Sequence, residues 1–241
     1  MTKKLTLIRN ATLRLELAGQ RFLVDPMLDE AGARPAVENT DNDQRNPLVP
    51  LPLPVKEIVR GLDAVLVTHL HRDHFDDGAV RHLARDVPFY CQPEDEERLR
   101  EHGFDVRPAR DSVVHGSLTI TRTGGQHGNG KTAEELGPVS GFVLDDVYVA
   151  DDTVWCDEVE RAIAEHRLQV AVVNGSAARF VDSEPLVMTT SDIAEVARRV
   201  ATVVVVHLEA INHCIDTRDH VRRAVPNAVV PEDGETVELP T

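Results

Sequence analysis

Cysteine is scarce. Cys91, Cys156 and Cys214 are odd in number, widely spaced and without a CxxC pair. That excludes a disulfide framework and points to reduced thiols and a cytoplasmic protein. Long apolar runs are also missing. No stretch approaches the roughly 20 apolar residues of a membrane-spanning helix. The start, "MTKKLTLIRNATLRLELAG", has no long apolar h-region and no small-residue cleavage site, so no signal peptide and no membrane partner are expected. Positive charge is in deficit: the formal net charge is −15 and the pI about 5.1. Such a chain repels nucleic acid on average, so no nucleic-acid partner is expected. No GxSxG motif is present to suggest a serine hydrolase. No short repeat and no linker divides the 241 residues, which read as one domain, 1–241. The oligomeric state is left open, a homo-oligomer included.

What is present alternates between strands and helices. Short strands are expected at 5–8, 12–17 and 21–25, the middle one alternating apolar and polar. From Asp29 to Pro54 the chain turns rich in Pro, Asn and Asp without periodicity, a long loop of the kind that serves function or is disordered. "DAVLVT" (63–68) is an apolar run, as in a strand covered on both faces. Helices are expected at 77–85 and 94–102 around a strand at 87–91. A strand at 117–123 and a hairpin over 141–151, turning at Asp145-Asp146, follow. Helix 157–166, strand 170–174, helix 191–200 and strand 202–207 come next. A last helix, capped by Asp216 or Thr217, runs to about Ala224. This order argues for a layered α/β domain.

In the stretch "VLVTHLHRDHFDD", the eight residues after Thr68 hold three imidazoles, His69, His71 and His74, and two carboxylates, Asp73 and Asp76. In an extended segment His69, His71 and Asp73 point the same way, and His74 can turn inward as the next helix begins. Loops after buried strands are where α/β proteins place ligands. Imidazole and carboxylate suit a divalent metal such as zinc. Four close donors cannot easily converge on one ion, so a pair of ions is expected, with further ligands from elsewhere. Three more candidates stand at strand ends: His127 in "TGGQHGNG", Asp152 in "YVADDTVW" and His207 in "TVVVVH".

"THLHRDHFD", "GGQHG", "ADDT" and "VVVVH", in this order and over nearly the whole chain, resemble the motifs of the metallo-β-lactamase-fold hydrolases. "FLVDPML" and "NHCIDTR" look closest to a bacterial branch that includes ascorbate-6-phosphate lactonase-like proteins. The resemblance implies a four-layer αβ/βα sandwich with a dinuclear metal site at one edge. By position, His69, His71 and His127 would hold one metal, and Asp73, His74 and His207 the other. The family's Gly-Asp-Thr becomes Asp151-Asp152-Thr153, so Asp152 takes the bridging place and Asp151 replaces the glycine. Asp151 either adds negative charge beside the metals or points to solvent. On the motif alone, glycine at 151 would leave metals and much of the activity in place.

The function expected is hydrolysis of a small-molecule ester, lactone or phosphoester by a hydroxide that two divalent ions, Zn2+ first and Mn2+ or Fe2+ otherwise, activate. Asp73 would also relay a proton. The alternatives are a phosphodiesterase or nuclease of the same fold, and a metal-bound protein that binds a ligand without turnover. Asp25 reads either as support under the site or as a turn residue before proline. Asp76 reads as a helix cap or a partner of a ligand histidine. His213 could replace His207 as ligand or contact substrate. Glu209 and Asn212 face the pocket or satisfy local backbone. Trp155 is a cleft wall or a core residue. Arg45 and Lys131 are contacts for an anion or solvated charges. His82, His102, His115, His166 and His220 are expected to be solvated.

Overall fold

The computed structural model describes residues 3–240. Strands β1 (Lys3–Arg9), β2 (Thr12–Leu17) and β3 (Gln20–Val24) form an antiparallel meander. The alternation of β2 sends Leu13, Leu15 and Leu17 inward while Arg14 and Glu16 stay half-exposed. Strands β4 (Ala64–Val67), β5 (Pro88–Cys91) and β6 (Asp105–Pro108) extend the sheet parallel to β3. Their crossovers carry helices α1 (Val55–Ile58), α2 (Asp77–His82) and α3 (Glu96–Glu101). The second sheet starts with antiparallel β7 (Ser112–His115), β8 (Leu118–Arg122), β9 (Phe142–Leu144) and β10 (Val147–Val149). It ends with β11 (Val170–Asn174) and β12 (Thr202–Val206), both in the parallel direction of β10. Helices α4 (Gly130–Leu136), α5 (Asp157–Glu165), α6 (Thr190–Ala197) and α7 (Arg218–Ala224) belong to this half, and β13 (Thr236–Leu239) returns to pair with β1.

The apolar pattern explains the layers. In β4, Ala64 and Leu66 enter the core shared by the two sheets, and Val65 and Val67 pack outward with Ala79, Leu83 and Leu99. Strand β12 does the same: Val204 and Val206 face the shared core, and Val203 and Val205 face Val159, Ile193 and Val221 of the outer helices. A strand with both faces covered must be apolar throughout, as these two runs are. The result is the α/β four-layer αβ/βα sandwich.

Several boundaries differ from the expected ones for local reasons. The segment 94–102 opens as a 3-10 turn, Pro93–Asp95, with proline in its first turn, before α3 begins. Thr217 caps α7 by accepting from the His220 amide; Asp216 does not. Elements β6, β7, β13, α1 and α4 lacked a clear signal. Helix α4 buries no residue, so no apolar stripe marks it. His115 is not solvated as expected: its ring is half-buried between the Tyr90 hydroxyl and Gln20, at 3.0 Å from each.

The Asp29–Pro54 loop has no strand or helix of its own, only a bridge between Arg34 and Asn46. Buried polar groups hold it instead. Arg9 is fully buried and donates to the carbonyls of Met27, Asp29 and Val49. Burial lowers its guanidinium to about 10, which leaves it charged at neutral pH. Asp76 caps α2 through the Ala79 amide and also accepts from the Leu28 and Asp29 amides. Beside it, a Cβ at Gly78 would stand 2.6 Å from the Leu28–Asp29 backbone. Gly78→Ala is therefore expected to destabilise the protein by about 1–3 kcal/mol, lowering Tm by about 2–12 °C at this chain length. A thermal melt unchanged within error would show that the loop is not packed against α2 this tightly.

Candidate metal centre

The candidate ligands stand where parallel strands stop. Asp25 follows β3, His69 follows β4, Asp151 and Asp152 follow β10, and His207 follows β12. Asp25, Asp151 and His207 take left-handed backbone angles, φ 45°, 69° and 60°, which turn their side chains off the strand line. A tight turn from His71, with its carbonyl accepting the His74 and Phe75 amides, brings His74 back under His69. The rings of His69 and His74 lie 4.1 Å apart, and those of His69 and His71 4.5 Å apart.

Four overlapping donor groups result: His69, His74 and Asp151 form one, His207, His213 and Cys214 another, and the remaining two meet at Asp152. Nitrogens of His69, His71 and His127 converge within 4.8 Å of one another, as do donor atoms of Asp73, His74, Asp152 and His207. Asp152 touches both groups. Its Oδ2 lies 3.3 Å from His74 Nε2 and 3.5 Å from His127 Nε2, and its Oδ1 lies 3.6 Å from His207 Nε2. The Asn174 amide donates to Asp152 Oδ1 at 2.6 Å and fixes the carboxylate.

The far nitrogen of each imidazole is held. His69 Nδ1 faces Asp151 Oδ2 at 3.1 Å, and His74 Nδ1 faces Asp25 Oδ2 at 3.0 Å. His127 Nδ1 lies 3.0 Å from the Leu186 carbonyl, and His71 Nε2 3.2 Å from the Leu136 carbonyl. His207 Nδ1 lies 3.3 Å from the Ser176 hydroxyl and 3.7 Å from Cys214 Sγ. The Thr68 hydroxyl reaches both Asp25 and Asp151, at 2.8 and 2.7 Å. Meanwhile His69 Nε2 and His74 Nε2 are buried with no hydrogen-bond partner. Holding one nitrogen and leaving the other bare is how proteins orient imidazoles toward a cation.

The electrostatics fit a cation. Burial, with His74 alongside, pushes His69 down to about 3, and burial with His69 pushes His71 to about 4. Both are therefore neutral, the ligating form. Burial also disfavours charge on His74 and His207. Asp152 and Asp25 outweigh it at His74, and Asp152 with Cys214 and Asp73 at His207, so both are held well above the ordinary value. Burial works against the charge of Asp73 and Asp152, yet the facing histidines keep both well below the usual carboxylate range. Protons on His74 and His207 thus balance charges that a divalent ion would also balance.

The open alternatives resolve as follows. Asp25 is 1% exposed and supports His74. Asp151 does not point to solvent: it is 1% exposed, sits on His69, and burial raises it to about 6. His207, fully buried, joins the four-donor group, and His213 stands outside it. Glu209 pairs with Arg218. Arg45 donates to the Gly32 and Ala33 carbonyls, and Lys131 pairs with Glu135 at the surface. Trp155 packs by the outer helices with the Arg199 guanidinium over its ring.

A cleft of about 370 Å³ opens over His71, Asp73, His127 and Asp152. The loop supplies Pro35, Ala36 and Val37, and the segments beyond supply Leu136, Phe180, Leu186 and Ile211. Arg34 lines it as well, donating to the Arg72 carbonyl and lying 4.0 Å from Asp29. The Asp29–Pro54 loop thus lines the cleft with both apolar residues and Arg34 and Asn46, and the end of α4 with Leu136. Sequence reasoning missed Asn174, Arg34, Phe180 and Leu186. Only Asn174 carried a signal, as a polar end to an apolar strand like His207.

The profile of the "Beta-lactamase superfamily domain" family matches residues 20–208. The chain belongs to the metallo-β-lactamase-fold superfamily. The UPF0173 protein YddR of Bacillus subtilis is 38% identical over 249 residues, covering 96% of this chain and 98% of the relative. The structure of a possible metal-dependent hydrolase from Veillonella parvula superposes with a TM-score of 0.94 at 34% identity, over 99% of this chain and all of that one. An isothiocyanate hydrolase from Delia radicum gut bacteria gives a TM-score of 0.90 at 35% identity, over 97% of this chain and 98% of the other. The protein is a metal-dependent hydrolase of this superfamily, with a His/Asp cluster able to bind metal. Among the described residues, no helix of this superfamily member is long and apolar enough to cross a membrane.

Proposed function

We propose that His69, His71 and His127 hold one divalent ion, that Asp73, His74 and His207 hold a second, and that Asp152 is shared. The observation that carries this is the contact of one buried carboxylate with histidines of both groups, beside imidazole nitrogens that lack any other partner. Zinc suits the set, with manganese or iron as alternatives. Such ions supply Lewis acidity and a water of lowered pKa. The protein's own residues do the rest. Asp25, Asp151, Leu186 and Ser176 hold the imidazoles. The carboxylate of Asp73, the one acid of the set with appreciable exposure to the cleft, accepts and passes on a proton at Oδ2. The core shared by the two sheets supports one hydrolase domain over 1–241, and the free thiols support a cytoplasmic setting.

The substrate of this reading is a small, uncharged molecule with an apolar arm. Four buried carboxylates, Asp25, Asp73, Asp151 and Asp152, balance the charge of two divalent ions before any nucleophile is counted. An anion gains little from such a site. The apolar lining favours the same class, which includes esters, lactones and the isothiocyanates of the relative from Delia radicum gut bacteria. Arg34 is the observation favouring a phosphoester, but Asp29 answers its charge at 4.0 Å.

Metal analysis joined to a panel of aryl esters, lactones, aryl isothiocyanates and phosphodiesters tests the proposal. We expect about two ions per chain, and at least about ten-fold higher kcat/KM on the best neutral substrate than on the best phosphodiester, a difference of about 1.4 kcal/mol. A phosphodiester ranking first would favour the nuclease-like alternative. A two-ion protein inert on the whole panel would favour ligand binding without turnover.

A further inference from the structure

One imidazole in the cleft is spare. His213 lines the cleft at 8% exposure and belongs to neither of the groups that Asp152 joins, although it converges with His207 and Cys214 in a further one. Its ring lies parallel to that of His207, 7° off plane at 5.9 Å, and its Nε2 stands 3.8 Å from Asp73 Oδ2. Its Nδ1 is buried without a partner. Nε2 has no hydrogen bond either, but it is not among the buried atoms, so it is the nitrogen open to the cleft. A neutral imidazole carries one N–H. With no acceptor at Nδ1, the side facing Asp73 and the cleft is where that hydrogen finds one.

The ring is also held in place. The Arg179 amide donates to the His213 carbonyl at 3.2 Å, and the preceding Asn212 amide donates to Asn46 Oδ1 at 2.9 Å. The stack on His207 fixes the ring plane. A side chain placed with such constraint, beside an acid of the centre but outside the ligand set, serves what enters the cleft.

We infer that His213 is a catalytic residue that touches substrate, donating its Nε2–H to the heteroatom on which negative charge develops as the carbonyl or thiocarbonyl group is attacked. No proton is transferred; the hydrogen bond is stronger to the charged atom than to the neutral substrate, which is what lowers a barrier. This rests on the two-ion reading above and adds to it a group supplied by protein alone.

The test uses the metal-loaded protein and its Co2+-substituted form, with His213→Phe and His213→Gln. Benzoate is the probe: its ring suits the apolar lining, and because an anion gains little from the charge-balanced centre itself, its oxygen depends on the His213 N–H. Both variants should retain the metal content and visible Co2+ spectrum of the wild type. His213→Phe should weaken benzoate by about ten-fold or more and lower kcat about a hundred-fold with little change in KM. His213→Gln, whose amide N–H can reach the same acceptor, should recover part of both losses. Loss of metal or a changed Co2+ spectrum in both variants would make His213 a ligand and overturn the inference. Unchanged benzoate affinity and kcat would overturn it too. If no panel substrate is turned over, the hydrolase reading fails on that result, while the benzoate titration still decides the role of His213.

Discussion

Asp152→Ala should lose hydrolysis by about a thousand-fold or more, the scale of several kcal/mol that metal polarisation supplies, and should hold at most one ion. No other carboxylate is placed to do its work. Asp73 meets only His207 and His213, Asp25 only His74, and Asp151 lies behind His69 and His74. Asp152 alone reaches His127 of one group and His74 and His207 of the other. Its removal also strands the Asn174 amide and takes the strongest counter-charge from two buried histidines. Elemental analysis and steady-state kinetics on the same sample check the claim. Two ions retained with wild-type turnover would sink it.

His69→Ala should likewise abolish hydrolysis and reduce metal content while leaving the fold intact, whereas His166→Ala should do neither, since His166 only ends α5 away from the cleft. The informative companion is Asp151→Gly. The motif pattern alone expects glycine there to be harmless. The structure reverses that expectation, because Asp151 Oδ2 stands 3.1 Å from His69 Nδ1 and its Oδ1 lies 2.7 Å from the Thr68 hydroxyl, which itself contacts that nitrogen at 3.3 Å. Loss of such a support typically costs about 10–100-fold in metal affinity or activity. Stability should move the other way. Asp151 sits at φ 69°, where a side chain costs about 1–2 kcal/mol that glycine does not bear. A variant at least as heat-resistant as the wild type but poorer in metal and rate is the expected result. If Asp151→Gly keeps full metal affinity and rate, Asp151 is not a support for His69.

Most of the layered fold was legible because its central strands are buried on both faces and read as unbroken apolar runs. The centre was legible for a related reason: a histidine or aspartate at the end of such a run needs an explanation, and His69, Asp152 and His207 all stand at such places. Elements that bury little were silent. Helix α4 buries no residue, and edge strand β13 is short and half-exposed. Asp151 was ambiguous because a left-handed turn residue can face either way, and only the packing of β4 against the β10 turn settles that it faces Thr68 and His69. The apolar lining from Phe180 and Leu186 was out of reach, since those residues belong to segments without periodicity that become neighbours only through the fold.

Asn212 binds the long loop at several points. Its side-chain oxygen accepts from the Val37 amide and Asn46, and its amide donates among the Val37 and Asn42 carbonyls and the Thr40 hydroxyl. Pro35, Ala36 and Val37, which this clamp leaves unbonded through their side chains, face the cleft beside Arg34 and Asn46. Selectivity and chemistry are therefore written on different parts of the chain. Drift at 35–37 can reshape what fits without disturbing a ligand, a support or the clamp. A lineage can in this way exchange one substrate for another by single steps, each leaving a working hydrolase.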